Sequence, residues 1–170
     1  MSDFWIPLET SPVGRRRFVP FGPFDFHRLP ARFTHRAEHS QHPLRVTVAM
    51  SFDDSADRVR VDSVTLERTD GQSVAPSDMT RLQLAQVVHD AAVKVAEPYG
   101  WAFDRRHPGG PLDDDEVRGL AQIYWYEYVT WGKPREQIMA AFELTRPSAS
   151  RWIRKARDRY GLPGPHQEGV

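Results

Sequence analysis

Cysteine is absent from the 170 residues, which removes disulfide scaffolds, cysteine zinc sites, iron–sulfur clusters and thiol nucleophiles together. Net charge is missing too. The 23 basic and 23 acidic side chains cancel, so a protein that coats nucleic acid through bulk charge is excluded and any such surface must be local. Lysine is scarce, with 3 against 20 arginines. That bias, with abundant Ala, Val, Asp and Pro, points to a GC-rich coding sequence and says nothing of mechanism. No apolar run approaches the roughly 18 residues of a membrane span, and the opening MSDFWIPLETSP lacks the apolar core of a signal peptide. The expectation is a cytoplasmic protein with no membrane contact. At 39% hydrophobic residues, a modest and divided core is expected.

Proline, by contrast, is plentiful. Pro7, Pro12, Pro20, Pro23 and Pro30 punctuate residues 1–43 and deny them a helix of normal length. Phe18, Phe21, Phe24, Phe26 and Phe33 give the same stretch apolar weight. An extended arm laid on a neighbouring surface is predicted, with room for one short strand. Strict alternation follows: Leu44, Val46, Val48, Met50 and Phe52 share one face of a strand. Asp53, Asp54 and Asp57 lie in a polar hairpin loop. A second strand over 58–67 changes phase near Asp62 and Ser63, which predicts a bulge. Asp70–Gly71 suggests a turn into a short third strand over 72–75. Thr80 and Gln83 have capping-box spacing, and Leu84, Val88, Ala91, Ala92 and Val95 then fall on one helical face.

Beyond the Pro108–Gly109–Gly110–Pro111 punctuation the pattern is purely helical. Asp113 and Glu116 form another capping box, ahead of a stripe of Val117, Leu120, Ala121, Tyr124 and Tyr128 that runs on to Trp131. A second helix is expected from Pro134 to about Phe142, and a third from about Pro147 to Tyr160, stopped by Gly161. The fold class predicted is α+β. A proline/phenylalanine-rich arm (1–43) precedes a small β-hairpin–helix domain (44–97), a linker (98–112), a trihelical helix-turn-helix domain (113–163) and a tail (164–170).

Residues 135–153, REQIMAAFELTRPSASRWI, carry the functional signal. A helix-turn-helix needs apolar residues where its helices cross, and Ile138, Phe142, Leu144, Ala149 and Trp152 supply them in frame. Thr145 and Pro147 frame the start of the last helix. Arg146, Ser148, Ser150 and Arg151 are left facing outward, with Arg154 and Lys155 a turn further on. Between residues 132 and 160 there are eight basic and three acidic side chains, whereas Asp113, Asp114, Asp115 and Glu116 make the first helix start acidic and are expected to point away from phosphate. A neutral chain with one basic face suits a specific duplex binder.

The segment ELTRPSASRWIRKAR resembles the recognition half of helix-turn-helix proteins of the resolvase, transposase and regulator kind, often written G-V-S-x-S-T-V-S-R-W-I. Residues 44–162 are also similar to small actinobacterial and actinophage proteins that pair a hairpin and a helix with a C-terminal helix-turn-helix ending in R-W-I-x-x-A-R. Glu143 stands where that pattern has glycine, and Met139 where it has alanine. The expectation is a non-enzymatic, sequence-specific binder of double-stranded DNA, a bacterial or phage transcriptional regulator. Arg146, Ser148 and Arg151 would read base edges, while Arg154, Lys155 and Lys133 hold phosphates. The N-terminal half would supply a homodimer contact or a protein partner. Two alternatives stay open: an accessory factor in recombination, replication or packaging of a mobile element, and a phage protein-binding inhibitor module.

Weaker signals remain. Arg15, Arg16 and Arg17 could enter a minor groove as a flexible arm, though a solvated cluster is the simpler reading. His35, Glu38 and His39 spell H-x-x-E-H, with His42 close by. A zinc peptidase needs that motif on a helix with a third ligand, and no metal or cofactor is expected here. In the run YWYEYVTW, Tyr124, Tyr128 and Trp131 fit the core stripe. Trp125 and Tyr126 are left to dock the N-terminal half or meet a partner. No phosphate loop, serine elbow or carboxylate pair stands out.

Overall fold

The computed structural model describes residues 4–14, 18–21, 27–53, 55–96 and 112–164. Its architecture is α+β, with a four-stranded antiparallel sheet, a two-stranded ladder and five helices among the described residues.

The strands predicted from alternation are present as β5 (Leu44–Asp53) and β6 (Arg58–Arg68), paired antiparallel. The register shifts where Ala49 faces Ser63 and Met50 faces Val61. Asp62 is therefore the extra residue, which puts Val59, Val61, Val64 and Leu66 all on the core face.

Residues 1–43 are more than an arm. They supply β1 (Trp5–Pro12), β2 (Phe18–Phe21), β3 (His27–Pro30) and β4 (Arg32–His39). β1 and β4 extend the sheet to the order β1-β4-β5-β6, so the expected lone hairpin is half of it, and β2 pairs with β3 separately. Pro7 and Pro12 are accommodated because β1 is an edge strand, where an outward N–H has no ladder partner. In β4 the buried set is Phe33, His35, Ala37 and His39, a period of two in which histidines take apolar places.

No strand forms over 72–75. The chain turns instead into α1 (Pro76–Thr80), whose buried Asp78 accepts from Ala75 N and pairs with Arg68 at 3.2 Å. The Thr80–Gln83 box is not formed: the Thr80 hydroxyl donates to Ser77 O, and Gln83 enters α2 (Leu84–Val95) with φ 42°. Val87, Val88, Ala91 and Ala92 of α2 are buried, and the helix packs on β1, β3 and β4.

Three further helices follow: α3 (Asp114–Val129), α4 (Pro134–Phe142) and α5 (Arg146–Tyr160). The Asp113–Glu116 capping box is formed, and α3 packs on both α4 and α5. It also docks on the sheet unit. The Tyr126 ring lies edge-on to His27 at 5.3 Å and to His89 at 6.3 Å, and Trp131 Nε1 donates to Val59 O at 2.7 Å. Tyr126 thus meets the N-terminal half, while Trp131, expected in the core stripe, is 39% exposed beneath the Arg58 guanidinium. The buried apolar residues run as one set from Trp5 to Leu162, so the core is continuous where a divided one was expected. The Pro/Gly segment expected as a linker falls almost wholly outside the described residues. No helix among the described residues is long and apolar enough to cross a membrane.

Candidate nucleic-acid interface

Pro134 opens α4 in the first turn, where its missing N–H has no partner to lose. The helix ends at Glu143, which adopts the left-handed conformation at φ 51°, and Leu144 N closes the turn on Met139 O at 3.0 Å. Leu144 and Thr145 complete a three-residue connection to α5. Thr145 is extended, and Pro147 stands in the first turn of α5. Ile138, Phe142, Ala149, Trp152, Ile153 and Ala156 are buried between the helices, with the Phe142 and Trp152 rings edge to face at 5.9 Å. The far end of α5 is anchored at Pro163, whose carbonyl accepts from Tyr124 Oη and Arg157 Nε, both at 2.8 Å. Burial pushes the Tyr124 hydroxyl up to about 12, against the pull of Arg157, so it stays a donor.

With Ala149, Trp152, Ile153 and Ala156 inward, helical geometry puts Pro147, Arg151, Arg154 and Asp158 along the opposite ridge, all exposed. Arg146 and Thr145 are exposed at its start. Ser148 and Ser150 are half-buried, less outward than expected, and the Thr145 hydroxyl donates to Ser148 Oγ at 3.1 Å. Lys155 is exposed but turned aside: its Nζ donates to Leu112 O at 3.1 Å. Arg159 approaches Asp114 at 3.9 Å. The acidic start of α3 therefore lies beside the end of α5, and among the described residues no acidic side chain pairs with Arg146, Arg151 or Arg154. Lys133 is exposed at the start of α4 with Glu136 at 3.4 Å. Arg15, Arg16 and Arg17 lie outside the described residues.

The H-x-x-E-H spelling falls on β4. His35 and His39 face the core, and Glu38 lies on the other face, bound by Arg45 at 2.6 Å. The His35 ring meets Thr10 Oγ1 at 2.8 Å, and the His39 ring lies edge-on to Trp5. The one-turn helical spacing the peptidase motif requires is not formed. Among the described residues no group of three or more potential metal ligands gathers.

One polar cluster went unread in the sequence. Glu127, in the middle of YWYEYVTW, is 5% exposed on α3. Its Oε2 accepts from Lys133 N at 3.0 Å and lies 3.8 Å from His89 Nε2 of α2. His89 Nδ1 meets Thr130 Oγ1 at 3.0 Å, and that hydroxyl donates to Tyr126 O. Burial raises the Glu127 carboxyl above its ordinary value, while His89 and the Lys133 amide pull it down. A carboxylate flanked by five aromatics was the available signal, since an acid in an apolar stripe must have a partner. No family model, curated protein or solved structure matches the chain.

Proposed function

We propose that the chain is a sequence-specific double-stranded DNA-binding protein. In this reading α3, α4 and α5 form a trihelical helix-turn-helix unit whose last helix enters the major groove. The observation that carries it is the exposed ridge of α5 from Arg146 to Arg154, with Arg146, Arg151 and Arg154 in solvent while the opposite face is packed on α3 and α4. Arginine can grip guanine O6 and N7 in a bidentate contact. Arg151 and Arg146 read base edges with Ser148 beside them, and Arg154, Lys133 and Lys155 hold phosphates. Thr145 and Ser150 border the same surface. A transcriptional regulator in a bacterial or phage setting is the role that suits a chain with no net charge and one basic face.

Selection from a random duplex library, then titration of the winner at several salt concentrations, tests this. Arg151→Ala is expected to cost about 1–3 kcal/mol on the preferred site and to relax its sequence preference. Arg154→Ala is expected to weaken all duplexes evenly and to reduce the salt slope by about one. Lys155→Ala should do the same less strongly, because its ammonium is already engaged at Leu112 O. No salt-dependent binding, or titrations unchanged by both arginine variants, would sink the reading. Genome-wide mapping separates a regulator, found at promoters, from an accessory factor found at attachment or replication sites. A protein partner for the N-terminal half is favoured by one observation: Phe4, Ile6, Leu8 and Val13, on or beside edge strand β1, are each about half exposed.

A further inference from the structure

The start of α4 is fixed from outside its own helix. Thr130, Trp131 and Gly132 separate α3 from Lys133, the residue that caps α4. Lys133 supplies no side-chain cap, and its own backbone N–H is held by a side chain of α3, Glu127, at 3.0 Å. Gly132 N donates to Glu127 O at 2.8 Å, so one residue grips two successive amides of the turn. The same carboxylate faces His89, which ties it to α2 and through α2 to the sheet. The packing leaves no slack. A Cβ on Gly132 would collide with Glu127 Oε2 and crowd the His89 ring. The turn is pinned on its outer side by Trp131 Nε1 on Val59 O, with Arg58 stacked over the indole.

We infer that Glu127 is a positioning residue for the DNA-facing helices: by holding the Lys133 amide against α2 it fixes where α4 begins, and hence how α4 and α5 are presented to a duplex. The inference rests on the DNA-binding reading for its consequence, but not for the clasp itself. Its chemistry is that of a buried acceptor. The carboxylate satisfies an N–H that otherwise lacks a partner, and an oxygen at that position is what the site needs.

Four variants of the full chain separate acceptor from filler: Glu127→Ala, Glu127→Gln, Glu127→Met and Gly132→Ala. Gln keeps the oxygen, Met keeps most of the volume without it, and the Gly132 variant displaces an intact carboxylate. Two readouts are taken, amide hydrogen exchange at Lys133 and through α4 in the free protein, and affinity for the selected duplex. Glu127→Ala, Glu127→Met and Gly132→Ala are expected to speed Lys133 exchange and weaken binding by about tenfold, while Glu127→Gln stays within about threefold of the parent. A Met variant that matches the parent in exchange and affinity overturns the inference, because volume alone would then suffice. Unchanged Lys133 exchange in the Ala and Gly132 variants overturns it whatever the DNA result. If exchange responds as expected but neither parent nor variants bind any duplex, the clasp stands and the DNA-binding reading is what fails.

Discussion

At the scale of single residues, the acid behaviour of the protein rests on histidines used as core side chains. His27 is 2% exposed, and burial drives its imidazole down from 6.5 to about 4, with the Gln122 backbone pulling weakly upward. Burial also lowers His35. A base held neutral in the folded state takes up its proton on unfolding. Its contribution is complete above pH 6.5 and is lost as pH falls toward 4. For His27 the difference amounts to about 3 kcal/mol over that window. Denaturant midpoints measured from pH 7 to pH 4 are expected to fall, and His27→Phe to flatten the slope, leaving the share due to His35. A midpoint independent of pH in the parent would show that these rings are not held neutral. Histidine in core places also explains why β4 was illegible. RFTHRAEH alternates only if His35 and His39 count as inward residues, and histidine is ordinarily read as polar.

At the scale of elements, legibility followed the strength of local signals. Pro134, Gly161 and the Asp113–Glu116 box are backbone instructions, and they bounded α3, α4 and α5 almost to the residue. Alternation alone located β5 and β6, and the change of phase at Asp62 located the bulge. β1 stayed hidden because Pro7 and Pro12 argue against a strand unless it lies at an edge, and edge position is a property of the whole sheet. The Thr80–Gln83 box failed for a related reason: the Arg68–Asp78 pair ties α1 to the sheet before α2 begins. The three C-terminal helices share one ending, a left-handed residue followed by an amide that bonds five residues back, at Trp131, Glu143 and Gly161. Only Gly161 adopts that backbone without a Cβ penalty. Glu143 makes no side-chain hydrogen bond or ion pair to offset it among the described residues, whereas Trp131 is held through Val59 and Arg58. Glu143→Gly is therefore expected to stabilise the chain by about 0.5–1 kcal/mol in equilibrium unfolding. Loss of stability would mean that the greater freedom of glycine in the unfolded state outweighs the relieved strain.

At the scale of the whole molecule, the surface proposed to meet DNA depends on the sheet unit that carries it. Residues 113–163 read as a separate domain on the strength of the Pro/Gly punctuation, yet Tyr126 is packed on His27 and His89, and Glu127 is paired with His89. Trp131 is hydrogen-bonded to β6. These contacts are non-local, so neither periodicity nor spacing could reveal them, whereas the ridge on α5 follows from local periodicity and was legible at Arg146, Arg151 and Arg154. Cutting the chain before Leu112 would expose Tyr126 and take His89 away from Glu127, leaving that carboxylate with the Lys133 amide alone. A fragment of residues 112–170 is expected to melt well below the full chain by circular dichroism, and to bind the selected duplex more weakly at the same salt. A fragment as stable as the parent, with equal affinity, would show that the sheet contributes nothing to presenting the ridge and that the punctuation marks a true domain boundary.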